Sequence, residues 1–257
     1  MSRVFITGSS EGLGLMAGQL LHAQGHHVVL HARNAVRADT ARRGLPQAEA
    51  IVLGDVATLR GMHEVARQAN DLGRFDAVIH NVGIGYQEQR RTETEDSLPH
   101  VFAINVLAPY VLTALLQRPA RLVYLSSGMH LGASVHLEDP AWRERRWNGS
   151  TAYAESKLYD LMLAFAVARR WPQVLSNAVH PGWVATRMGG AGATDVLDEG
   201  HRTQAWLAAS DDPAALVSGQ YFYHQRPADP NPQARRTDLQ EGLIAALTGF
   251  SGITLPQ

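Results

Sequence analysis

Residues 3–14 read Arg-Val-Phe-Ile-Thr-Gly-Ser-Ser-Glu-Gly-Leu-Gly, and this stretch decides the fold. Its first five residues are short and apolar enough to form a buried strand. Apolar residues then recur at helical spacing, at Leu15, Ala17, Leu20 and Leu21. A strand, a glycine-rich turn and a helix in this order predict the first unit of an α/β domain.

The three glycines of this turn have the spacing of a dinucleotide site. Gly8 allows a tight turn, Gly12 lets the backbone approach a pyrophosphate, and Gly14 lets the helix pack close to the sheet. The free N–H groups at the helix start then hold the anion. The same predicted cofactor site includes the residues between the glycines, Ser9, Ser10 and Leu13. The alternative is a glycine-rich turn that only joins a strand to a helix.

The end of the second predicted strand bears on the choice of cofactor. An NAD site usually has an acidic residue about 20 residues after the glycines, but no Asp or Glu occurs between Glu11 and Asp39. Arg33 follows the strand instead, with Arg37 four residues on. A guanidinium suits a ribose 2′-phosphate as a forked donor, so the sequence favours NADP(H) over NAD(H). The alternative is a solvated loop arginine.

Composition bounds the class of protein. The chain has 257 residues, 45% hydrophobic and 18% charged, with a net charge of −1. These values are typical of a globular enzyme and predict no binding to nucleic acid or to an anionic membrane. The first residues already belong to a core strand and no apolar run is long enough to span a bilayer, so we expect a cytoplasmic protein.

Metal binding has little support in the sequence. The chain has no cysteine, so no disulfide and no thiolate metal site is expected. Its twelve histidines include no His-Glu-x-x-His motif and no pair four residues apart on a predicted helix. We therefore predict no metal site and interpret the histidines as solvated or core residues.

Strand-like and helix-like segments alternate along the chain. The strands are predicted at 4–7, 27–32, 50–54, 76–81, 121–126, 174–180 and 219–223. The helices are predicted near 13–24, 57–72, 96–117, 151–170 and 201–209, with a final helix at 236–248 against the sheet edge and a proline-rich loop at 226–232. Such alternation predicts a single α/β Rossmann-fold domain over residues 1–257, a doubly wound parallel sheet with helices on both faces.

Polar and small residues follow four of these strands. They are Asp55 with Val56, Asn81 with Gly83, Ser126 with Ser127, and the run Pro181-Gly182-Trp183-Val184-Ala185-Thr186. Because parallel strands end at one edge of a sheet, we expect these residues to face the cofactor. Asp55 either accepts from an adenine amino group, caps the following helix, or does both.

Tyr153 and Lys157 are four residues apart in the predicted helix 151–170, so their side chains share one face. A lysine ammonium beside a phenol favours the phenolate. Tyr153 is then a candidate proton donor to a carbonyl, or a base towards an alcohol. The alternative is an ordinary pair of helix-surface neighbours.

Taken together, these motifs resemble the short-chain dehydrogenase/reductase family over nearly the whole chain. The matching elements are Thr7-Gly-x-x-x-Gly-x-Gly14, Asp55, Asn81-x-Gly83, Asn105, Ser127, Tyr153-x-x-Ser-Lys157 and Pro181-Gly-x-Val-x-Thr186. The resemblance implies that Ser127 holds the substrate oxygen and Tyr153 exchanges the proton. It also implies that Lys157 assists the tyrosine and bonds the nicotinamide ribose, and that Asn105 positions a water linking the lysine to solvent. Val184 and Thr186 would hold the nicotinamide carboxamide.

Two departures from the family pattern stand out. Val82 takes the place of a smaller residue, and Tyr153 follows Ser127 by 26 residues, a longer spacing than in many members. The longer spacing is similar to that of retinol-dehydrogenase-like branches, which often have a histidine where this chain has His130. Retinol is not thereby implied as the substrate.

The extra residues form a predicted active-site insertion at 128–150. A loop of this length is more often functional than idle, and it offers Met129 and His130 as substrate contacts. A second segment, 183–210, is expected to cover the substrate with Trp183 and Met188. For the insertion, the alternative is a surface excursion whose tryptophans pack on the body of the protein. For Trp183 and Met188, the alternative is ordinary core packing.

The resulting hypothesis is an NADP(H)-dependent oxidoreductase that moves a hydride between the nicotinamide and a carbonyl or alcohol. The rival hypotheses are a non-catalytic dinucleotide sensor and an epimerase or dehydratase on the same fold. The apolar face of helix 151–170 either forms the seam of a homodimer or homotetramer, or packs within its own chain.

Overall fold

Eight strands form one sheet in the computed structural model, which describes residues 1–256. The sheet order is β3-β2-β1-β4-β5-β6-β7-β8, and every pairing is parallel except β7 with β8. The strands are β1 (Arg3–Ile6), β2 (His27–Ala32), β3 (Ala50–Leu53), β4 (Ala77–His80), β5 (Arg121–Leu125), β6 (Leu175–His180), β7 (Tyr221–Tyr223) and β8 (Arg226–Pro227). The doubly wound parallel sheet is thereby confirmed.

The strand order reverses at β1. This strand pairs with β2 on one side and β4 on the other, so Ile6 lies opposite both Leu30 and Ile79. The connections leaving β1 and β4 therefore diverge above their carboxyl ends. A crevice at such a switch point is where ligands bind in open α/β sheets.

Helices cover both faces of the sheet. They are α1 (Gly12–Ala23), α2 (Ala35–Gly44), α3 (Leu59–Asp71), α4 (His100–Phe102), α5 (Ala108–Leu115), α6 (Gly149–Arg170), α7 (Arg202–Ala209) and α8 (Thr237–Ser251). A π-helical stretch, Ala103–Leu107, joins α4 to α5. The helix predicted at 96–117 is thus interrupted, and it begins only at His100.

Two predictions about elements are wrong, and one helix was not predicted. Helix α2 was not predicted, because it buries only Ala38 and Ala41 and its apolar periodicity is weak. The segment 226–232, predicted as a loop, contributes β8. Helix α8 packs against α6 rather than the sheet edge, because its buried Leu243 and Leu247 join the core around that helix.

Alternation along the strands divides the core into two. Val4 and Ile6 face the layer that contains α1 and α7, whereas Phe5 faces the layer that contains α3, α5 and α6. Because side chains alternate across a strand, both faces of the central strands are apolar and buried. This packing makes the carboxyl edge of the sheet a rigid platform.

Helix α6 is buried along most of its length. Asn148 caps its first turn by accepting a hydrogen bond from the N–H of Thr151 at 2.9 Å. The face considered as a dimer seam is covered by the chain itself, since it is buried at Leu158, Leu161, Met162, Phe165 and Ala166. Of the two alternatives for this face, the structure shows packing within the chain.

Among the described residues, no helix has the length and apolarity needed to cross a membrane.

Candidate active site

The glycine-rich turn lies at the switch point between β1 and β4. Gly8 and Gly12 have φ of +62° and +60°, in the left-handed region that favours glycine. A Cβ on Gly8 would lie 2.7 Å from the Cα of Val82, and one on Gly14 would lie 2.4 Å from Nδ2 of Asn81. Gly12 instead faces open space, because no atom would lie within 4 Å of its Cβ. The turn therefore leaves room above the start of α1 for an anion.

His31 fastens this turn to the sheet. Its Nδ1 accepts from the N–H of Gly8 at 2.9 Å, and its Nε2 donates to the carbonyl of Gly54 at 2.9 Å. Burial lowers the pKa of His31, so the neutral ring with its proton on Nε2 fits both partners. His31 is a site residue that the sequence analysis missed, although its place near the end of β2 is a signal that points to this edge.

Ser9 differs from its predicted role. Its side chain is fully buried, donates to the carbonyl of Ile6 at 2.7 Å and accepts from the N–H of His31 at 2.8 Å. The hydroxyl is therefore used within the protein and is not free for a phosphate. Ser10 and Leu13 are half-buried beside it and remain candidate contacts.

Asn81 joins the ends of β1 and β4. Its Nδ2 donates to the carbonyls of Thr7 and Gly8 at 3.1 and 2.9 Å. The Thr7 hydroxyl accepts from the N–H groups of Asn81 and Val82, both at 3.1 Å. Asn81 thus acts through the shape of the glycine turn, and Val82 fits against Gly8 without disturbing it.

The edge predicted to hold the adenosine is formed by Asp55 and Arg33, which are both exposed. Asp55 accepts from the N–H of Ala57 at 3.0 Å. The cap of α3 is Thr58, which accepts from the N–H of Gly61 at 3.1 Å, so the alternative role of Asp55 as a helix cap is wrong. The Val56 side chain is buried, which leaves only its backbone for a ligand.

A charged cluster lies beside the glycine turn. Arg37 Nη1 is 2.5 Å from Oε2 of Glu11, and Arg187 Nη1 is 3.8 Å from Oε1 of the same carboxylate. Glu11 precedes Gly12 directly, so this carboxylate sits at the predicted phosphate site. The pairing of Glu11 with Arg37 is not evident from the sequence, because the two residues are 26 positions apart.

Tyr153, Lys157 and Asn105 meet at the carboxyl edge of the sheet. Lys157 Nζ lies 5.9 Å from the centre of the Tyr153 ring. A Cβ on Gly83 would lie 3.4 Å from Oδ1 of Asn105 and 3.5 Å from Lys157 Nζ, so both side chains border this glycine. The π-helical stretch presents Asn105, whose Nδ2 donates to the Ser156 hydroxyl at 3.0 Å.

The Lys157 ammonium has two partners within the protein. It donates to the carbonyl of Leu125 and to Oδ2 of Asp160, both at 2.8 Å. Asp160 lies one turn further along α6 and is buried. Asp160 was not among the predicted site residues, although its spacing of three residues from Lys157 places it on the same helix face.

Ser127 lies two residues after β5 ends at Leu125, the residue whose carbonyl binds Lys157. Its Oγ accepts from the N–H of Met129 at 3.3 Å and so caps the short 3-10 helix Gly128–Gly132. Met129 is half-buried within that turn.

His130 does not present a free nitrogen to a substrate. Its side chain is fully buried, its Nδ1 is 2.6 Å from the carbonyl oxygen of Ser127, and its Nε2 accepts from the N–H of Asn231 at 3.2 Å. The side chain of Asn231 donates from Nδ2 to the carbonyl of Ala133 at 2.8 Å. His130 therefore holds the Ser127 turn in place, in contrast to the expected substrate contact.

The segment after β6 covers Tyr153. The Tyr153 hydroxyl donates to the sulfur of Met188 at 3.9 Å, and a Cβ on Gly85 would lie 2.8 Å from Cγ of Met188. Trp183 points outward, with 47% of its surface exposed and its Nε1 bonded to the carbonyl of Gly189 at 3.0 Å. Of the two candidate substrate contacts in this segment, Met188 is thus the one placed on Tyr153.

Residues predicted to hold the nicotinamide lie in the same segment. Gly182 has a φ of +89° and donates to Nδ1 of His180 at 3.3 Å. Val184 is buried and pairs with Asp195 in a short bridge, and Thr186 accepts from the N–H of Gly189 at 3.2 Å. Pro181 is half-buried at the end of β6. Their contacts to a cofactor stay predictions.

The insertion at 128–150 is fastened to α6. Arg145 Nη1 donates to Oε1 of Glu155 at 2.8 Å, and Trp142 Nε1 donates to Oε2 of the same carboxylate at 3.1 Å. The Arg145 guanidinium lies 4.0 Å above the Trp142 ring, and Trp147 Nε1 donates to the carbonyl of Glu88 at 2.9 Å. These buried contacts favour a fixed wall over a moving lid.

Comparison with known proteins agrees with this geometry. A family model described as short chain dehydrogenase matches residues 2–196. The chain belongs to the short-chain dehydrogenase/reductase family and is an oxidoreductase, which confirms the resemblance seen in its motifs.

Individual relatives support the same conclusion. An uncharacterized oxidoreductase of Emericella nidulans is 44% identical, with 100% of this chain and 99% of that protein covered. Human retinol dehydrogenase 13 is 26% identical, with 98% and 85% covered. Among solved structures, a blue fluorescent protein from a metagenomic library, in complex with NADPH, has a TM-score of 0.69 at 23% identity, with 86% and 95% covered. That likeness shows the shared fold.

Proposed function

We propose that the protein is an NADP(H)-dependent carbonyl reductase that interconverts a ketone or aldehyde and its alcohol, with Tyr153 as the proton donor. The observation that carries this proposal is the meeting of Tyr153, Lys157 and Asn105 beside the crevice of the glycine turn. A dinucleotide fits this crevice, because Gly12 leaves space above the first turn of α1. When bound, the cofactor supplies the hydride.

The side chains of the chain handle the oxygen and its proton. The Tyr153 hydroxyl gives its proton to the oxygen of the reduced carbonyl, or takes one from an alcohol. Ser127 donates a hydrogen bond to the same oxygen and stabilises its developing charge. Lys157 uses two of its three N–H donors within the protein, which leaves one for a ribose hydroxyl. Asn105 faces Lys157 across Gly83 and keeps a path for the proton.

Replacement of Tyr153 by Phe tests this role. We expect kcat for NADPH-dependent carbonyl reduction to fall by at least about 100-fold, the usual scale of general acid catalysis. The dissociation constant for NADPH should change by less than about threefold from the wild-type value. This limit corresponds to a change in binding free energy of less than about 0.7 kcal/mol. Wild-type protein that binds NADPH but reduces no carbonyl would favour the sensor, and NADPH-dependent turnover without net reduction would favour the epimerase or dehydratase.

The preference for NADP(H) rests on the cationic edge of the crevice. Arg33 is exposed at the end of β2 and Arg37 lies beside the glycine turn. The NADPH bound by the metagenomic neighbour is consistent with this preference. In a fluorescence titration, Arg33→Ala should weaken NADPH binding about tenfold, the loss of one charge-assisted contact, and leave NADH unchanged. Arg67→Ala, a similarly exposed arginine in the middle of α3, is the control. Equal losses of affinity for NADPH and NADH would show that Arg33 does not select for the 2′-phosphate.

The substrate is proposed to be a small molecule of moderate apolarity. Met188 lies on the Tyr153 hydroxyl, and the Tyr86 ring meets the Tyr153 ring edge-on at 5.8 Å. These side chains offer a substrate an apolar wall with few hydrogen-bonding groups. A panel of ketones and aldehydes graded by size and polarity tests this class.

The protein is proposed to be a monomer in the cytoplasm. The α6 face that was considered as a seam is buried within the chain, so a homodimer or homotetramer would need another surface. Light scattering after size exclusion should give a mass near 28.0 kDa. A mass of twice that value would contradict the proposal. Cell fractionation tests the location.

A further inference from the structure

Lys157 shares its surroundings with a second buried charge. The Asp160 and Lys157 side chains are only 3% and 5% exposed, and Oδ2 of Asp160 lies 2.8 Å from Nζ. The other carboxylate oxygen, Oδ1, is buried without a hydrogen-bond partner. Such a carboxylate is costly to bury, and no part of the mechanism above uses it.

The other groups near Asp160 are neutral. Tyr124 of β5 lies within electrostatic range of the carboxylate. The Thr113 hydroxyl of α5 joins the Tyr124 hydroxyl at 2.7 Å to Nε2 of His80 in β4 at 3.0 Å. Burial raises the pKa of Tyr124 and lowers that of His80 to about 3. Lys157 is therefore the cation that faces Asp160 at neutral pH.

The two charges partly cancel for a third group. Coulomb energy falls with distance, and the Asp160 oxygen lies only 2.8 Å from Nζ, whereas Nζ lies 5.9 Å from the Tyr153 ring centre. From Tyr153 the pair thus resembles a dipole more than a full positive charge. Burial raises the pKa of Asp160 to about 6, so the carboxylate is ionised at pH 7 and above.

We propose that Asp160 is a positioning residue that fixes the Lys157 ammonium and offsets its charge at Tyr153, so that the site is set for carbonyl reduction. This inference rests on the proposed function. Without Asp160, the uncompensated ammonium favours the phenolate, which is the form needed for alcohol oxidation.

The test is a titration of the apoprotein that needs no turnover. The protein is labelled with ring-[13C]tyrosine, and the Tyr153 signal among the seven tyrosines is identified by its loss in Tyr153→Phe. In Asp160→Asn, the pH midpoint of this signal should fall by about one unit, the lower end of the effect of a nearby charge. A midpoint that stays constant or rises in a folded Asp160→Asn protein would overturn the proposal.

A second variant covers the case in which Asp160→Asn does not fold. Lys157→Met/Asp160→Asn removes both buried charges, which is often tolerated where the removal of one is not. Its Tyr153 midpoint should lie within about half a unit of the wild-type value, because an offset pair acts weakly at a distance. A midpoint higher by about one unit or more would show that the lysine charge acts unopposed, which contradicts the offset.

Turnover separates this inference from the proposed function. In Asp160→Asn, the pH optimum of reduction should move down by about one unit, together with the NMR midpoint. Asp160→Glu restores the charge and should return both values towards wild type. A shifted NMR midpoint in a protein that reduces no carbonyl would refute the reductase and leave the role of Asp160 intact. A protein that reduces carbonyls but has the same Tyr153 midpoint with and without Asp160 would support the reductase and refute the role of Asp160.

Discussion

The Tyr153 hydroxyl donates its hydrogen bond to the sulfur of Met188, at 3.9 Å. A thioether is a weak acceptor, so a carbonyl oxygen can displace it at little cost. The contact therefore marks where the substrate oxygen is expected to bind. In the structure, Met188 of the segment after β6 thus occupies the position proposed for the substrate oxygen.

We predict that Met188→Ala changes the size of the preferred substrate. The shorter side chain leaves space beside Tyr153, and each methylene-sized change in an apolar pocket is worth about tenfold or more in kcat/KM. The ratio of kcat/KM for an aryl ketone to that for a small aliphatic ketone should therefore rise about tenfold. Leu216→Ala, at an exposed position outside the site, should leave the ratio constant. Parallel changes for both ketones would show that Met188 does not face the substrate.

We predict that His130→Ala reduces both stability and turnover. The substitution removes the partners of the Ser127 carbonyl and the Asn231 N–H and leaves a cavity. The free energy of unfolding in urea should fall by about 2–4 kcal/mol, and kcat should fall as Ser127 loses its position. His136→Ala, in the same segment but more exposed, is the matched control. A loss of turnover with full stability would instead assign His130 a direct role.

We predict that Glu11→Gln tightens NADPH binding. The carboxylate repels phosphate and holds Arg37 at 2.5 Å, so its removal frees a cation next to the glycine turn. The dissociation constant should fall about threefold to tenfold at low salt, or about 1 kcal/mol, with a smaller change for NADH. The gain should shrink in 0.5 M salt because of screening. Weaker binding would indicate that Glu11 is needed to orient Arg37. Glu95→Gln serves as the control, because that carboxylate is exposed and pairs with Arg60.

We predict that the protein loses stability as the pH falls below about 6.5. Burial lowers the pKa of His31, and lowers that of His80 to about 3 and of His180 to about 4. Below pH 6.5 the unfolded chain binds protons that these folded histidines do not, so each can lose up to about 1.4 kcal/mol per pH unit. Asp160 acts in the opposite direction between pH 6 and 4, because its folded pKa is raised.

The measurement is urea unfolding at several pH values between 7.5 and 4.5. Three histidines outweigh one carboxyl, so we expect the free energy of unfolding to change little above pH 6.5 and to fall between pH 6.5 and 4.5. The variant His80→Phe keeps an apolar ring against Tyr124 and should show a slope that is smaller by about 1.4 kcal/mol per pH unit between pH 6 and 4.5. An unchanged slope would show that His80 titrates near its ordinary value in the folded protein.

Local pattern alone determined the fold class of this protein and predicted much of its candidate site. The glycine spacing of residues 8–14 and the alternation of strands and helices are properties of short segments. The pairing of Tyr153 with Lys157 is likewise local, because residues four apart on a helix share a face. The family resemblance adds Ser127 and Asn105, and the structure places Asn105 beside Lys157 through a π-helical stretch that no periodicity predicts.

Tertiary structure decided which polar side chains still have hydrogen-bonding groups free for a ligand. Ser9 and His130 have the residue types of ligand contacts, yet their partners, His31 and Asn231, lie far away in the chain. The burial of Asp160 beneath β5 and the placement of Met188 on Tyr153 likewise depend on contacts between distant segments. A sequence pattern shows which groups a residue carries. Only the folded chain shows whether those groups are already bonded, because a buried polar atom takes whatever partner the packing brings to it.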